Sequence, residues 1–103
     1  MALDAELEEA LRVYLDASPN GSIYPHGGKG RVRARYGAAA DRVLARVEEF
    51  LHPLTEIPDA WAGEAYVRAG ELAEQRARER NPDLPPLLAK AIGNYVSFWV
   101  WHG

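Results

Sequence analysis

The residues best suited to binding a phosphate lie in a glycine-rich segment, Gly27-Gly28-Lys29-Gly30. A phosphate-binding loop of the P-loop type needs a glycine five positions before the glycine of the Gly-Lys pair. It also needs a Ser or Thr after the lysine, because that hydroxyl holds magnesium. Ile23 and Gly30 occupy those two positions. The segment therefore does not predict a nucleotide-phosphate site of this type.

The other residues with catalytic or metal-binding side chains lack the spacing that such chemistry needs. We expect His26, His52 and His102 to be exposed or capping residues that share no helix face with a carboxylate. The serines have no nucleophile-elbow glycines around them. The chain has no cysteine, which excludes a thiolate ligand and suits a reducing cytoplasm. We therefore predict no enzyme activity, no cofactor and no metal site.

Charge is distributed unevenly along the 103 residues, although the formal net charge of −3 does not by itself indicate a nucleic-acid or membrane partner. Residues 1–17 carry five acidic side chains and one arginine, whereas residues 18–37 carry four basic side chains and no acidic one. These cations could contact nucleic-acid phosphates, with flanking tyrosines stacking on bases. They could equally meet an acidic protein surface, including the first helix of a neighbouring copy, or form a solvated loop. The acidic flanks favour protein over nucleic acid.

The C-terminal segment is unusually apolar. No charged side chain follows Lys90, and residues 95–101 read Tyr-Val-Ser-Phe-Trp-Val-Trp. As a helix this tail would be apolar on nearly every face, so it is either a central core helix or a partner contact, where Trp is enriched. The basic segment and this tail supply the predicted partner-binding residues: Lys29, Arg31, Arg33, Arg35, Tyr36, Phe98, Trp99 and Trp101.

Hydrophobic periodicity predicts a single all-α domain, residues 1–103, made of about four helices. The apolar stripes and the Pro, Asn and Gly breakers place the first two helices at Leu3–Ala17 and Gly37–Leu51, the second stopped by His52-Pro53. The third starts near Pro58 and ends before Asn81-Pro82, and its alanine-rich stripe would let a neighbouring helix approach closely. The fourth starts near Pro86, and a helix is favoured over a strand for the tail at 95–101.

Residues 18–36 form a Gly-rich basic segment that is expected to be flexible. Basic and less polar side chains alternate from Arg31 to Tyr36, and a period of two is typical of a strand. Residues 22–24 could pair with it, so residues 22–36 would form a short β-hairpin. An extended arm that later becomes helical is an almost equally good interpretation.

The second half of the chain combines features in a characteristic order. A long helix ending in Val47-Glu48-Glu49-Phe50-Leu51 is followed by Ile57-Pro58-Asp59-Ala60-Trp61, an alanine-rich helix and the arginine-rich end Arg76-Ala77-Arg78-Glu79-Arg80-Asn81. Over about residues 38–81 this order resembles head–tail connector (adaptor) proteins of tailed bacteriophages. The resemblance implies a ring of identical helical subunits docked under the portal. The implied protein partners are further copies of this chain, the portal, and tail or stopper proteins. The resemblance also implies non-specific DNA contact and no catalysis.

Two other functions stay open beside this virion-assembly role. One is a nucleic-acid-binding or regulatory helical protein acting through residues 29–35, and the other is a small protein-binding inhibitor or antitoxin-like module. The acidic N-terminus lacks the order of a signal peptide, and the apolar stretch from residue 84 to residue 101 is interrupted by Pro85, Pro86 and Lys90. We therefore expect no membrane partner and a cytoplasmic location during assembly, followed by the virion in the connector case.

Overall fold

The computed structural model describes residues 3–16, 28–55 and 65–102, apart from the side chains of Tyr66, Trp99, Trp101 and His102. Every regular element in these ranges is helical, which confirms the all-α prediction. In this part of the chain, none of the helices combines the length and apolar character that a bilayer-spanning helix needs. The α-helices are α1 (Ala5–Leu15), α2 (Gly28–Tyr36), α3 (Ala40–Thr55), α4 (Tyr66–Arg80) and α5 (Pro86–His102), and a 3₁₀ turn (Gly37–Ala39) joins α2 to α3.

The first helix is bounded by two aspartates. Asp4 has extended backbone angles, and its carboxylate accepts a hydrogen bond of 2.9 Å from the backbone N–H of Leu7, which is an N-cap contact. Asp16 ends the helix in the left-handed conformation, with φ of 52°. These caps shorten the predicted helix at both ends. Its predicted apolar stripe is confirmed, because Leu7, Leu11 and Leu15 are buried.

Residues 28–36 form a helix, so the strand alternative for Arg31–Tyr36 is wrong. The helical backbone turns both Val32 and Arg31 towards α1: Val32 is fully buried, and the Arg31 guanidinium binds carbonyls at the end of α1. These tertiary contacts outweigh the period-two pattern of the sequence. Residues 22–27, the rest of the predicted hairpin or arm, lie outside the described residues.

The predicted stop of the second long helix at His52-Pro53 is also wrong, because α3 continues to Thr55. Pro53 lies in the last turn, where the missing N–H removes a single intrahelical hydrogen bond. Leu54, which follows it, is buried in the core and holds the turn in place. The Thr55 hydroxyl donates to the His52 carbonyl over 3.3 Å and closes the helix end.

The predicted third helix is wrong at Ala65, which is not helical, and correct at its end. Ala65 is extended and exposed, so no core contact holds it in a helical turn, and α4 begins at Tyr66. Residues 56–64, including Pro58 and Trp61, lie outside the described residues. The helix ends before Asn81, as predicted. The favoured interpretation of the tail is confirmed, since residues 95–101 belong to α5.

Helices α4 and α5 form an antiparallel hairpin that crosses at two glycines. A Cβ atom on Gly70 would lie 2.7 Å from the Gly93 carbonyl oxygen, and a Cβ on Gly93 would lie 2.7 Å from the Gly70 carbonyl oxygen. Ala69 and Ala73 are buried beside this crossing. The alanine-rich stripe therefore does allow the close approach that it predicts, and only glycine fits at the crossing itself.

The main core joins α1, α2 and α3 to the first half of α5. Its largest fully buried side chains include Leu7, Leu11, Val43, Leu88 and Ile92. Ala69, Ala73 and Val96 are buried around the glycine crossing, apart from this core. We call residues 66–69 of α4 and 96–102 of α5, which lie beyond the crossing, the outer hairpin. It extends the fold beyond the main core.

We expect Gly93→Ala to destabilise the fold by about 1–3 kcal/mol, because the added methyl group overpacks a helix contact that has no room for it. The measurement is the urea midpoint of unfolding followed by circular dichroism. Gly30→Ala is the matched control, since Gly30 is also helical but no atom lies within 4 Å of its Cβ position. This control should stabilise α2 by about 0.5–1 kcal/mol. A Gly93→Ala variant as stable as the wild type would contradict the close crossing.

Candidate functional site

The predicted contact residue Arg31 binds the end of α1 in the same chain. Its Nε donates to the Val13 carbonyl over 2.8 Å, and its Nη2 donates to the Tyr14 carbonyl over 2.7 Å. Carbonyls in the last turn of a helix lack intrahelical partners and carry the negative end of the helix dipole. Arg31 therefore acts as a side-chain cap for α1, and it fixes where α2 sits.

Arg35 and Tyr36 also contact α1, through one carboxylate. Arg35 Nη2 lies 2.8 Å from Glu9 Oε1, and the Tyr36 hydroxyl donates to the same oxygen over 2.9 Å. The Arg35 guanidinium carbon is 5.4 Å from the centre of the Tyr36 ring, a distance at which a cation attracts an aromatic face. Burial and the Glu9 carboxylate raise the pKa of Tyr36. The basic segment thus meets the acidic first helix within one chain.

Two arginines of α3 neutralise the beginning of α1. Arg42 binds Glu6 through two bonds of 2.8 and 3.0 Å, and Arg46 binds Asp4 at 2.6 Å and Glu6 at 2.9 Å. Hydrogen bonds from Arg42 and then Arg46 lower the pKa of Glu6 to about 2, and the bond from Arg46 lowers the pKa of Asp4. These partners are 36 to 42 residues apart, so no local spacing in the sequence reveals them.

Lys29 and Arg33 remain exposed on the side of α2 that faces away from α1. They lie four residues apart, which places them on one helix face. Beside each of them lies a small exposed residue, Gly30 or Ala34. Within the described ranges neither cation makes an ion pair. Of the four predicted basic contact residues, these two are thus the ones that the fold leaves available to a partner.

The aromatic tail is divided between the fold and the surface. Val96 is buried, whereas Phe98 and Val100 are partly exposed on the outer hairpin. Val67, at the start of α4, is 54% exposed. Trp99 and Trp101 belong to α5, but their side chains lie outside the description. The outer hairpin therefore presents apolar surface from both of its helices.

An open groove of about 620 Å³ lies between α3 and the tyrosines of α1 and α5. The Tyr14 and Tyr95 hydroxyl oxygens are 3.4 Å apart at its wall. Burial and this hydrogen bond raise the pKa of Tyr14, and the Glu48 carboxylate raises it further. The lining residues are Tyr14, Ala45, Glu48, Glu49, Leu51, His52, Thr55 and Tyr95.

The groove residues are a feature that sequence reasoning misses. His52 follows Glu48 by four residues and Glu49 by three on the continuous helix α3, so the expectation that no histidine shares a helix face with a carboxylate is wrong. The predicted helix end at Leu51 leaves His52 outside the helix, so the prediction misses this shared face. The spacing of His52 from Glu48 and Glu49 is itself visible in the sequence. Among the described residues, no three His, Asp or Glu side chains are grouped so that they could hold a metal ion.

We expect the arginine contacts of α1 to make stability sensitive to acid. The Glu6 pKa is lowered from 4.5 to about 2 in the folded chain, so Glu6 contributes stability above its unfolded pKa. This contribution is lost as the pH falls from about 4.5 towards 2. The Arg42→Gln/Arg46→Gln variant should therefore melt at a lower temperature than the wild type at pH 7 and low salt, and this difference should shrink towards pH 2.

Thermal unfolding followed by circular dichroism across this pH range measures the effect. Arg33→Gln is the matched control, because it removes an arginine that makes no ion pair in the described part of the chain. It should melt close to the wild type throughout. A melting difference for the double variant that is as large at pH 2 as at pH 7 would contradict the assigned pairing.

Comparison with protein-family models, with curated proteins and with solved structures finds no match to this chain. The contacts within the molecule and the surfaces that they leave exposed are therefore what bears on its function.

Proposed function

We propose that this protein is a non-catalytic structural subunit that assembles with copies of itself and with other proteins. The most specific form of the proposal is a phage head–tail connector subunit, in which identical copies form a ring between portal and tail. The observation that carries the proposal is the apolar outer hairpin, which a monomer leaves in contact with water.

The outer hairpin has the properties of a protein-binding surface. Val67 is the large hydrophobic residue most exposed in the described part of the chain, and Phe98 and Val100 are only partly covered. Apolar side chains at the centre of an interface supply much of its binding free energy. The Gly70–Gly93 crossing locks the two helices together. It thereby presents these side chains on a rigid support, which reduces the entropy lost on binding.

The groups with the largest pKa shifts serve the fold. Glu6 and Arg46 are partners in the contact between α1 and α3, and Tyr14 is shifted by burial and by its bond to Tyr95. Catalytic groups often have shifted pKa values because an active site is built around them. Here the shifted groups are partners in contacts between helices, so these shifts do not point to an active site in the described part of the chain.

Assembly is tested by native mass spectrometry over a range of protein concentrations, with the 11.4 kDa chain as the unit. We expect multiples of this mass. Val67→Lys should raise the dissociation constant by about tenfold or more, because it places a charge in an apolar contact. Gln75→Lys, an exposed position on the same helix, is the control and should assemble like the wild type. A chain that stays monomeric at every concentration and with candidate partners would contradict the proposal.

Nucleic-acid binding through α2 is the second candidate, favoured by the exposed pair Lys29 and Arg33. Arg31 and Arg35 are held by α1, so at most a few phosphates would be neutralised. For duplex DNA, each neutralised phosphate adds about 0.9 to the slope with which the logarithm of the binding constant falls against the logarithm of the salt concentration. A duplex titration at 50 mM salt should therefore show weak binding with a slope of about 2. Lys29→Ala/Arg33→Ala should abolish it, and no binding by the wild type at low salt would eliminate this candidate.

A further inference from the structure

The outward side of α2 is a helix face without a partner in the described structure. Lys29 and Arg33 stand one turn apart on it, each followed by a small residue, Gly30 and Ala34, and all four are exposed. No atom lies within 4 Å of a Cβ built on Gly30. Another surface can therefore come close to the α2 backbone while both cations reach past it. We call this the α2 face.

Glu48 and Glu49 of α3 provide the opposite charge. Both are exposed and line the groove beside Tyr14 and Tyr95. They make no ion pair among the described residues, whereas all four acidic residues from Asp4 to Glu9 are paired within the chain. The acidic first helix is thus already neutralised, and the exposed carboxylates beside a groove are those of α3. We call this the α3 groove.

We propose that the α2 face of one copy docks against the α3 groove of a second copy. This inference rests on the proposed function, since it identifies which surfaces join the subunits. Charge indicates a second copy as the occupant, because the described part of one chain carries both a pair of cations and a pair of carboxylates without ion pairs. The two cations are four residues apart on one helix face, and the two carboxylates line the same groove, so each set forms a patch of one sign.

The groove suits lysine and arginine side chains for two further reasons. Its wall contains aromatic rings and Leu51, against which the aliphatic stems of long basic side chains can pack. The rings of Tyr14 and Tyr95 also offer faces that attract cations. The groove volume of about 620 Å³ is large enough to take the ends of two such side chains.

The two surfaces differ from each other, so one copy can contact a neighbour on each side. A contact between unlike surfaces is head-to-tail, and it generates a closed ring when its rotation closes. A ring subunit needs two different surfaces, one for each neighbour, and the α2 face and the α3 groove are two such surfaces. The outer hairpin is a separate part of the molecule and stays available for a different contact.

Charge reversal tests the pairing. Lys29→Glu/Arg33→Glu makes both surfaces acidic, and Glu48→Lys/Glu49→Lys makes both basic, so each variant alone repels its own copies. We expect each to raise the dissociation constant for self-association by at least about tenfold at 50 mM NaCl. An equimolar mixture of the two should restore assembly, because every interface then joins opposite charges. Sedimentation velocity measures all three samples.

Arg78→Glu/Lys90→Glu is the matched control, because it makes the same change in net charge at two exposed cations of α4 and α5 that lie outside the α2 face, the α3 groove and the outer hairpin. It should assemble like the wild type, and circular dichroism checks that all the variants stay helical. A monomeric wild type would overturn the proposed function together with this inference. If the wild type assembles but either double variant assembles equally well, or the mixture fails to restore assembly, only the pairing of these two surfaces is overturned.

Discussion

The pairing of the acidic first helix with arginines of the same chain determines which of the described charges are left without an ion pair. Glu6 and Asp4 are bound by Arg42 and Arg46 of α3, and Glu9 is bound by Arg35 of α2. Exposed ion pairs contribute little free energy individually, and the buried leucines of α1 supply most of the attachment. The pairs act mainly on orientation: together with the buried side chains they set how α2 and α3 lie against α1. Lys29, Arg33, Glu48 and Glu49 are consequently turned outward.

The glycine crossing places a second constraint on the molecule. Because Gly70 and Gly93 bring the backbones of α4 and α5 into contact, the hairpin holds together beyond the main core. Its outer part can thus carry apolar side chains such as Val67 and Phe98 without resting on α1 to α3. The molecule combines a charged side on α2 and α3 with an apolar end on the hairpin. A subunit that contacts different neighbours needs a different surface for each, and a charged side and an apolar end are two such surfaces.

The spacing of apolar residues in the sequence predicts the helices whose buried faces follow from helical geometry alone. The stripe at Leu7, Leu11 and Leu15 and the alanines of α4 are periodic, and their burial follows from helical geometry. The helix over Arg31–Tyr36 is not predictable in this way. Its conformation depends on Val32 entering the core and on Arg31 reaching carbonyls about 18 residues earlier in the chain. The turn after Pro53 likewise depends on the burial of Leu54.

The candidate site shows the same division. The sequence identifies Lys29, Arg31, Arg33 and Arg35 as a group, but only the fold separates the two that bind α1 from the two that make no ion pair with described residues. The sequence does not reveal the α3 groove, for two reasons. Pro53 suggests that the helix ends before His52, and the tyrosines of the groove wall come from the distant helices α1 and α5. Contacts between distant residues thus decide which charged side chains are available for binding.

The central claim is that this chain works as an assembled subunit. Small-angle X-ray scattering over a concentration series tests it most directly, because the folded chain has a Cα radius of gyration of 13.0 Å. Assembly predicts a radius of gyration well above this value and a scattering mass of several times 11.4 kDa. A radius that stays near 13.0 Å and the mass of one chain at every concentration, with and without candidate partners, would contradict the account.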